Sequence, residues 1–220
     1  MYHEKHQAEK DARIDTLTGL PNLRSYQETI VREIDRAKRT GHPLTLMMID
    51  IDDFKKINDI EGHDVGDLVI KRLADIVGHK LRSSDTIARI GGEEFIIILS
   101  DTNLEDAKNV ADKVVKAVES ESGIPPAPKF TISGGYAQWS EKNENPHVLK
   151  EVADRALNEA KLKGINQMLP YEEGRTIEKS ELIAQAVRHF RRGMPKALSK
   201  KEQGQVAESL LKEIDKETDE

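Results

Sequence analysis

The sequence predicts an α/β fold, a sheet flanked by helices, and three features carry that prediction. Leu44 to Asp50 (LTLMMID) is an apolar, strand-like run that breaks off in acids. Asp85 to Ser100 (DTIARIGGEEFIIILS) holds two β-rich runs around Gly91-Gly92 and Glu93-Glu94, the pattern of a β-hairpin. Around them lie segments with apolar residues at helical spacing, so helices and strands alternate along the chain.

The hairpin is the stretch around which the rest is organised. Its two glycines supply the positive φ of a tight turn, and Ile87, Phe95, Ile96, Ile97 and Ile98 suit buried or half-buried strands. The turn lifts Glu93 and Glu94 to an edge, where glycine leaves the backbone open to a ligand. Acids at a hairpin tip are ordinary in themselves. A second acidic cluster gives them meaning: the run from Leu44 ends in Asp50, Asp52 and Asp53 and delivers carboxylates to the C-terminal edge of a sheet. Two such clusters on neighbouring strands repel unless a cation sits between them, and Mg²⁺ is commonly held by one or two carboxylates together with substrate phosphates. The residues point to a Mg²⁺-nucleotide site.

Gly91-Gly92-Glu93-Glu94-Phe95 resembles the signature of the GGDEF domain, in its GGEEF form, the catalytic domain of diguanylate cyclases. Four further segments agree in order: Asp15 to Asn22 (DTLTGLPN), Asp50 to Asp59 (DIDDFKKIND), Gly62 to Asp67 (GHDVGD) and Ala153 to Lys161 (ADRALNEAK). The resemblance covers about residues 11 to 172. It implies a palm-like, largely antiparallel central sheet flanked by helices, as in class III nucleotidyl cyclases. It also implies three parts: an N-terminal helical lead-in (1–14), a GGDEF domain (15–172) and a C-terminal helical extension (173–220).

Composition sets outer bounds. A chain of 220 residues, 37% hydrophobic, holds one domain of moderate size and an appendage. A net charge of -6 leaves no basic footprint, so no nucleic-acid partner is expected. The absence of cysteine excludes disulfides, thiolate metal sites and cysteine nucleophiles, and fits a reducing cytosol. No apolar run approaches a membrane span, and the start, MYHEKHQAEK, lacks a signal-peptide core. The expected location is cytoplasmic.

Residues 1 to 14 are charged and suit the end of an upstream helix; in the resembled family such helices follow sensor or dimerisation domains, so the chain is either a fragment or relies on a separate partner. Thr18 to Asn22 (TGLPN) makes a turn, with Leu20 available for ligand packing, and a helix with Tyr26, Ile30, Ile34 and Ala37 on its apolar face runs to about Arg39. Leu23 stands where the family has the first of two arginines; Arg24 is retained. A strand ends at Asp50, Phe54 to Asn58 begins a short helix, and Asp64 to Val77 forms a longer one with Val65, Leu68, Val69, Leu73 and Ile76 inward.

By the resemblance, Lys55 meets the triphosphate, and Asn58 and Asp67 read guanine, whose N1-H and N2-H₂ donors suit a carboxylate and an amide. His63 is read as structural rather than as a ligand. Arg82-Ser83-Ser84-Asp85 has the offset from Gly91 of the family's inhibitory RxxD site, where Arg82 and Asp85 would bind the product, cyclic di-GMP.

A helix from Leu104 to Val118 buries Ala107, Val110, Ala111, Val114 and Val118. The strand Phe130 to Trp139 contains Ser133-Gly134-Gly135, which marks either a bulge or close packing beneath the site. A helix from Pro146 ends near Lys163, stopped by Gly164, and a last strand spans Gln167 to Tyr171. Lys161 matches the triphosphate-binding lysine, but Asn158 replaces a tyrosine and Ile165 an arginine that holds terminal phosphates in relatives. Loss of one such charge-assisted contact costs about 1.5 to 3 kcal/mol unless Lys163 substitutes. Two further helices are expected between 176 and 220, either solvated or serving to dock or dimerise.

The mechanism implied by the resemblance needs two domains face to face, each with one GTP, each 3′-OH attacking the opposite α-phosphate and expelling pyrophosphate. Mg²⁺ (or Mn²⁺) would be held by Asp50, Glu93 and the Ile51 carbonyl; Glu94 would assist 3′-OH deprotonation directly or through a metal ion; Gly91 and Gly92 would leave room for ribose and phosphate; Lys55 and Lys161 would clamp the triphosphate. The expected function is therefore a homodimeric diguanylate cyclase with product inhibition, a nucleotidyltransferase that makes a bacterial second messenger. The alternative is a catalytically weakened domain that senses cyclic di-GMP or GTP.

Overall fold

The computed structural model describes residues 13–140 and 145–173. Residues 1–12 of the lead-in and the two C-terminal helices expected from sequence lie outside these residues. Ten elements follow in chain order: α1 (Leu23–Thr40), β1 (Leu44–Ile51), α2 (Phe54–Glu61), α3 (His63–Gly78), β2 (Thr86–Gly91), β3 (Glu94–Ser100), α4 (Leu104–Glu121), β4 (Ile132–Gln138), α5 (Pro146–Lys163) and β5 (Met168–Pro170). Asparagine side chains start three of the helices: Asn22, Asn103 and Asn145 accept backbone N–H bonds from Ser25, Asp106 and His147. α5 adds Pro146 in its first turn, and α1 ends at Gly41 in the left-handed region.

The strands form one sheet in the order β2-β3-β1-β4-β5. All neighbours are antiparallel except β4 and β5, which run parallel. The central strand β1 is buried along its whole length because both faces of the sheet are covered. Its odd-numbered positions Met47, Ile49 and Ile51 pack with α3 and α4; its even-numbered Leu44, Leu46 and Met48 pack with α1 and α5. The face of α1 is the one predicted, Tyr26, Ile30, Ile34 and Ala37. On α3 the core instead takes Ile70, Ala74 and Val77 with Val69, Leu73 and Ile76, while Val65 and Leu68 are only half-buried. The first turns of α3 face α2 rather than the sheet, which shifts the stripe. Likewise Val110 of α4 is half-buried and Ala117 joins the core.

Ser133-Gly134-Gly135 resolves in favour of close packing. The β1–β4 register runs unbroken from Thr45 opposite Gln138 to Ile51 opposite Ile132, so there is no bulge. A Cβ built on Gly135 would lie 2.0 Å from the Leu157 amide nitrogen and 2.3 Å from the Ala153 carbonyl oxygen. The backbone of α5 thus rests directly on β4. Among the described residues no helix is long and apolar enough to cross a membrane.

Because those neighbours are backbone atoms that cannot rotate away, Gly135→Ala is expected to destabilise the domain by about 3 kcal/mol. Urea unfolding checks this; an unchanged midpoint would mean that α5 can lift off the sheet.

Candidate active site

Three elements converge at the C-terminal end of β1. Antiparallel pairing sets Asp50 opposite Glu94, so the acids of the β2–β3 turn stand beside the end of the central strand. As an even-numbered residue, Asp50 shares the sheet face of Leu44, Leu46 and Met48, the face that α5 covers. From the last turn of α5, Lys161 reaches it, Nζ to Oδ1 2.8 Å. Asp50 is 8% exposed. Burial pushes its carboxyl up from 3.8 to about 6; Lys161 opposes the rise, while Glu93 and Glu94 add to it. The three carboxylates therefore share one electrostatic field, with Lys161 as the cation seated on the most buried of them.

The turn itself differs from expectation. Only Gly92 has positive φ, 43°. Gly91 ends β2, and a register shift between Arg89 and Gly91 brings Gly91 opposite Glu94. A Cβ on either glycine would meet nothing within 4 Å, so the tip is open on both.

The acidic run after β1 delivers one carboxylate to this site, not three. Asp52 is buried and accepts hydrogen bonds from Thr131 Oγ1 (2.7 Å), Ser133 Oγ (2.6 Å) and the Asn166 amide (3.0 Å). It ties the end of β1 to β4 and to the loop after α5. Asp53 is exposed and adopts φ 54°, leading the chain into α2. Asp52 and Asp53 lie past Ile51, the last residue of β1, where the backbone turns into α2 and strand alternation no longer sets side-chain direction.

Arg89 was not singled out by sequence. Its Nε donates to the Gly92 carbonyl at 2.9 Å and its Nη1 lies 3.1 Å from both carboxylate oxygens of Asp15, with side chains only 14% and 21% exposed. Burial alone would raise Asp15, but bonds from Thr18 and Arg89 hold its carboxyl below the ordinary value. The Arg89 amide also donates to the Pro21 carbonyl, 2.9 Å. The Asp15–Asn22 segment is therefore a brace for the β2–β3 turn. Leu17 and Leu20 pack partly into the core, the structural alternative to ligand packing.

Asn58 lies on α2 and Asp67 on α3, two helices joined at Gly62, whose φ is 89°. Asn58 is half-buried and its amide oxygen is buried without a hydrogen-bond partner. Asp67 and Lys55 are exposed. His63 is exposed at the start of α3. After α5, Ile165 is 43% exposed and shares a groove of about 370 Å³ with Ile57, Ile60 and Phe130. Lys163 pairs with Glu159, Nζ to Oε1 2.7 Å, and Asn158 donates to Asp154.

Arg82 and Asp85 sit at the far end of β2 from the turn, about 17 Å along the strand. Asp85 Oδ2 accepts from the Arg82 amide, 3.0 Å, while the Asp85 amide donates back to the Arg82 carbonyl. The Arg82 side chain is exposed.

The raised Asp50 pKa has a consequence for stability. The folded domain holds this proton more tightly than the unfolded chain, so the contribution is fully present below pH 3.8 and is lost as pH rises through about 6. At neutral pH, charging Asp50 in metal-free protein costs about 2 to 3 kcal/mol. Asp50→Asn should therefore melt higher than wild type at pH 7.5 in EDTA, with the difference vanishing near pH 4. A lower melting temperature at pH 7.5 would contradict the assignment.

The family described as "Diguanylate cyclase, GGDEF domain" matches residues 12–167. The probable diguanylate cyclase DgcT of Escherichia coli is 39% identical over 159 residues, 70% of this chain and 35% of that protein, so the chain spans about a third of that relative's length. Among solved structures, the coiled coil and GGDEF domain of DgcB from Caulobacter crescentus, in complex with c-di-GMP, superposes with a TM-score of 0.71 at 28% identity, covering 77% of this chain and 91% of that one. Diguanylate cyclase SiaD in complex with its activator SiaC, from Pseudomonas aeruginosa, gives 0.69 at 33% identity over 77% and 66%. Sheet order, turn, Asp50 and Lys161 thus sit within a match over most of the described fold: the chain belongs to the GGDEF family.

Proposed function

We propose that this chain condenses two GTP into cyclic di-GMP and two pyrophosphates, as a diguanylate cyclase. The observation that carries the reading is the buried Asp50, held against Lys161 beside Glu93 and Glu94 at an open turn. The donors offered are hard oxygens, which suit Mg²⁺ or Mn²⁺: the carboxylates of Asp50 and Glu93 and the carbonyl of Ile51. Among the described residues no group of three or more acidic, His or Cys side chains converges on one point, so phosphate and water oxygens would complete the shell. Bound there, the metal would neutralise charge developing at the phosphate under attack.

The chain's own groups do the rest. Lys161 is the resident counter-ion of Asp50 and, with Lys55, offers positive charge to a triphosphate. Glu94 takes up the 3′-OH proton, directly or through a metal ion. Gly91 and Gly92 leave the tip free for ribose and phosphate. Asn58 and Asp67 stand on adjacent helices and would read guanine, the carboxylate accepting from N1-H and N2-H₂ and the amide pairing with N3 or the exocyclic amine.

One such site binds one nucleotide, whereas the product carries two linkages, so two copies face each other in turnover. Product would bind at Arg82 and Asp85, far enough along β2 to act as a separate regulatory site. A cytoplasmic setting and an upstream sensor or activating partner complete the proposal.

A second reading is a cyclic di-GMP or GTP sensor with weakened catalysis. It is favoured by Ile165, an apolar residue where the family has an arginine, and by Lys163, which is bound to Glu159 rather than offered in compensation.

Incubation with GTP and Mg²⁺ over a range of protein concentrations separates the two. Cyclic di-GMP formed at a rate per protein that rises with concentration is expected of the cyclase; no product at any concentration, with tight cyclic di-GMP binding in calorimetry, establishes the sensor. Glu93→Gln or Glu94→Gln should abolish turnover with the melting temperature retained, and near-normal product formation would contradict their roles. Arg82→Ala should weaken cyclic di-GMP binding at least tenfold, and unchanged affinity would remove Arg82 from the product site.

A further inference from the structure

We infer that Lys161 is an exchangeable stand-in for the metal at Asp50: the ammonium keeps a free divalent ion off the carboxylate until the phosphates of a nucleotide draw it away, so that metal and triphosphate enter together. This rests on the metal-site reading above and gives Lys161 a second role within it, that of coupling the two ligands.

Two buried acids at the end of β1 are held in opposite ways. Asp52, 6% exposed, accepts from two hydroxyls and a backbone amide, all fixed in place by the fold around β4 and the loop after α5. Asp50, 8% exposed, has no such donors: among the described residues the one partner of its carboxylate is Lys161, Nζ to Oδ1 2.8 Å. Short hydroxyls and amides cannot leave without disturbing the backbone that carries them. An ammonium on a four-carbon stem leaves by rotating its side chain, with α5 unmoved. Lys161 is also the more exposed of the pair, 34% of its side chain against 11%, so it can turn toward a ligand arriving from solvent. Asp50 is thus the acid whose partner can be exchanged.

Charge makes that exchange obligatory. A divalent ion bonded to either oxygen of Asp50 would lie close to an ammonium on the same carboxylate, and like charges repel strongly in a site largely closed to water. Metal arriving alone must displace Lys161 and leave its charge without a partner. A triphosphate removes that cost, because its oxygens take the ammonium as the metal takes Asp50. Each ligand makes room for the other, and such a coupling acts equally in both directions.

Mn²⁺ titrated into the full chain at about pH 8.5, where protons no longer compete for Asp50, tests this by calorimetry without any turnover. Lys161→Met should bind Mn²⁺ at least about tenfold more tightly than wild type, and the gain should disappear in Lys161→Met/Asp50→Asn. Lys163→Met removes the same charge from the same helix, but from a pair with Glu159, and should stay within about twofold of wild type. Lys161→Arg keeps the charge and so the fold, and should gain nothing, since a guanidinium holds a carboxylate at least as firmly. Melting gives a second readout: Lys161→Met, with Asp50 unpaired, should melt below wild type in EDTA and rise by more than wild type when Mn²⁺ is added. Mn²⁺ binding by Lys161→Met no tighter than wild type, or an equal gain in Lys163→Met or Lys161→Arg, would overturn the inference. The metal site has its own check in guanosine 5′-(α,β-methylene)triphosphate, which cannot expel pyrophosphate. With that nucleotide present Asp50→Asn should bind Mn²⁺ more weakly than wild type, and unchanged binding would overturn the metal reading itself.

Discussion

A carboxylate buried at the end of a central strand must have a cation. Asp50 sits where β1 leaves the sheet, shielded by α5 and beside two further acids, and a charge in that position is stable only against an opposite charge. Lys161 supplies it, and it reaches Asp50 because α5 rests on β4 with no side chain between them at Gly135. Any residue with a Cβ at 135 would push the helix outward and carry the ammonium with it. The electrostatics of the site therefore depend on a packing distance set on its far side. The same carboxylate that needs Lys161 is the one that would face a divalent ion, so the ammonium and the metal serve the same charge.

Around this pair the fold builds rigid supports. Asp52 joins β1, β4 and the loop after α5 through three hydrogen bonds, so the strand end and the helix end are fixed to each other. Arg89 joins the carbonyl of Gly92 to Asp15, so the turn carrying Glu93 and Glu94 is held from behind by the segment that precedes α1. Neither residue faces a ligand in the proposed mechanism. Both fix the geometry of those that do, and both are charged groups that are largely buried and hydrogen-bonded.

What sequence revealed and what it did not follow from the range of each interaction. The hairpin, the Asp50 strand, the inward face of α1 and the bounds of α5 are local, written in runs of neighbouring residues. Asp15 and Arg89 are 74 residues apart, and nothing in either neighbourhood announces the other. Asp50 and Asp52 look alike in a row of acids; which one enters the site depends on where the strand ends and the turn into α2 begins. The double glycine in β4 fitted either a bulge or a close approach, and only the atoms of α5 above it decide between them.

The last strand of the sheet has a consequence of its own. β5 is three residues long and ends in Pro170, which has no N–H to offer a neighbour. A short edge closed by an imide resists the strand-on-strand zippering by which sheets of separate molecules fuse. At this edge two copies would thus meet through side chains and loops, contacts that can be made and released, and at the other edge, β2, the Arg89 amide is already taken by the Pro21 carbonyl.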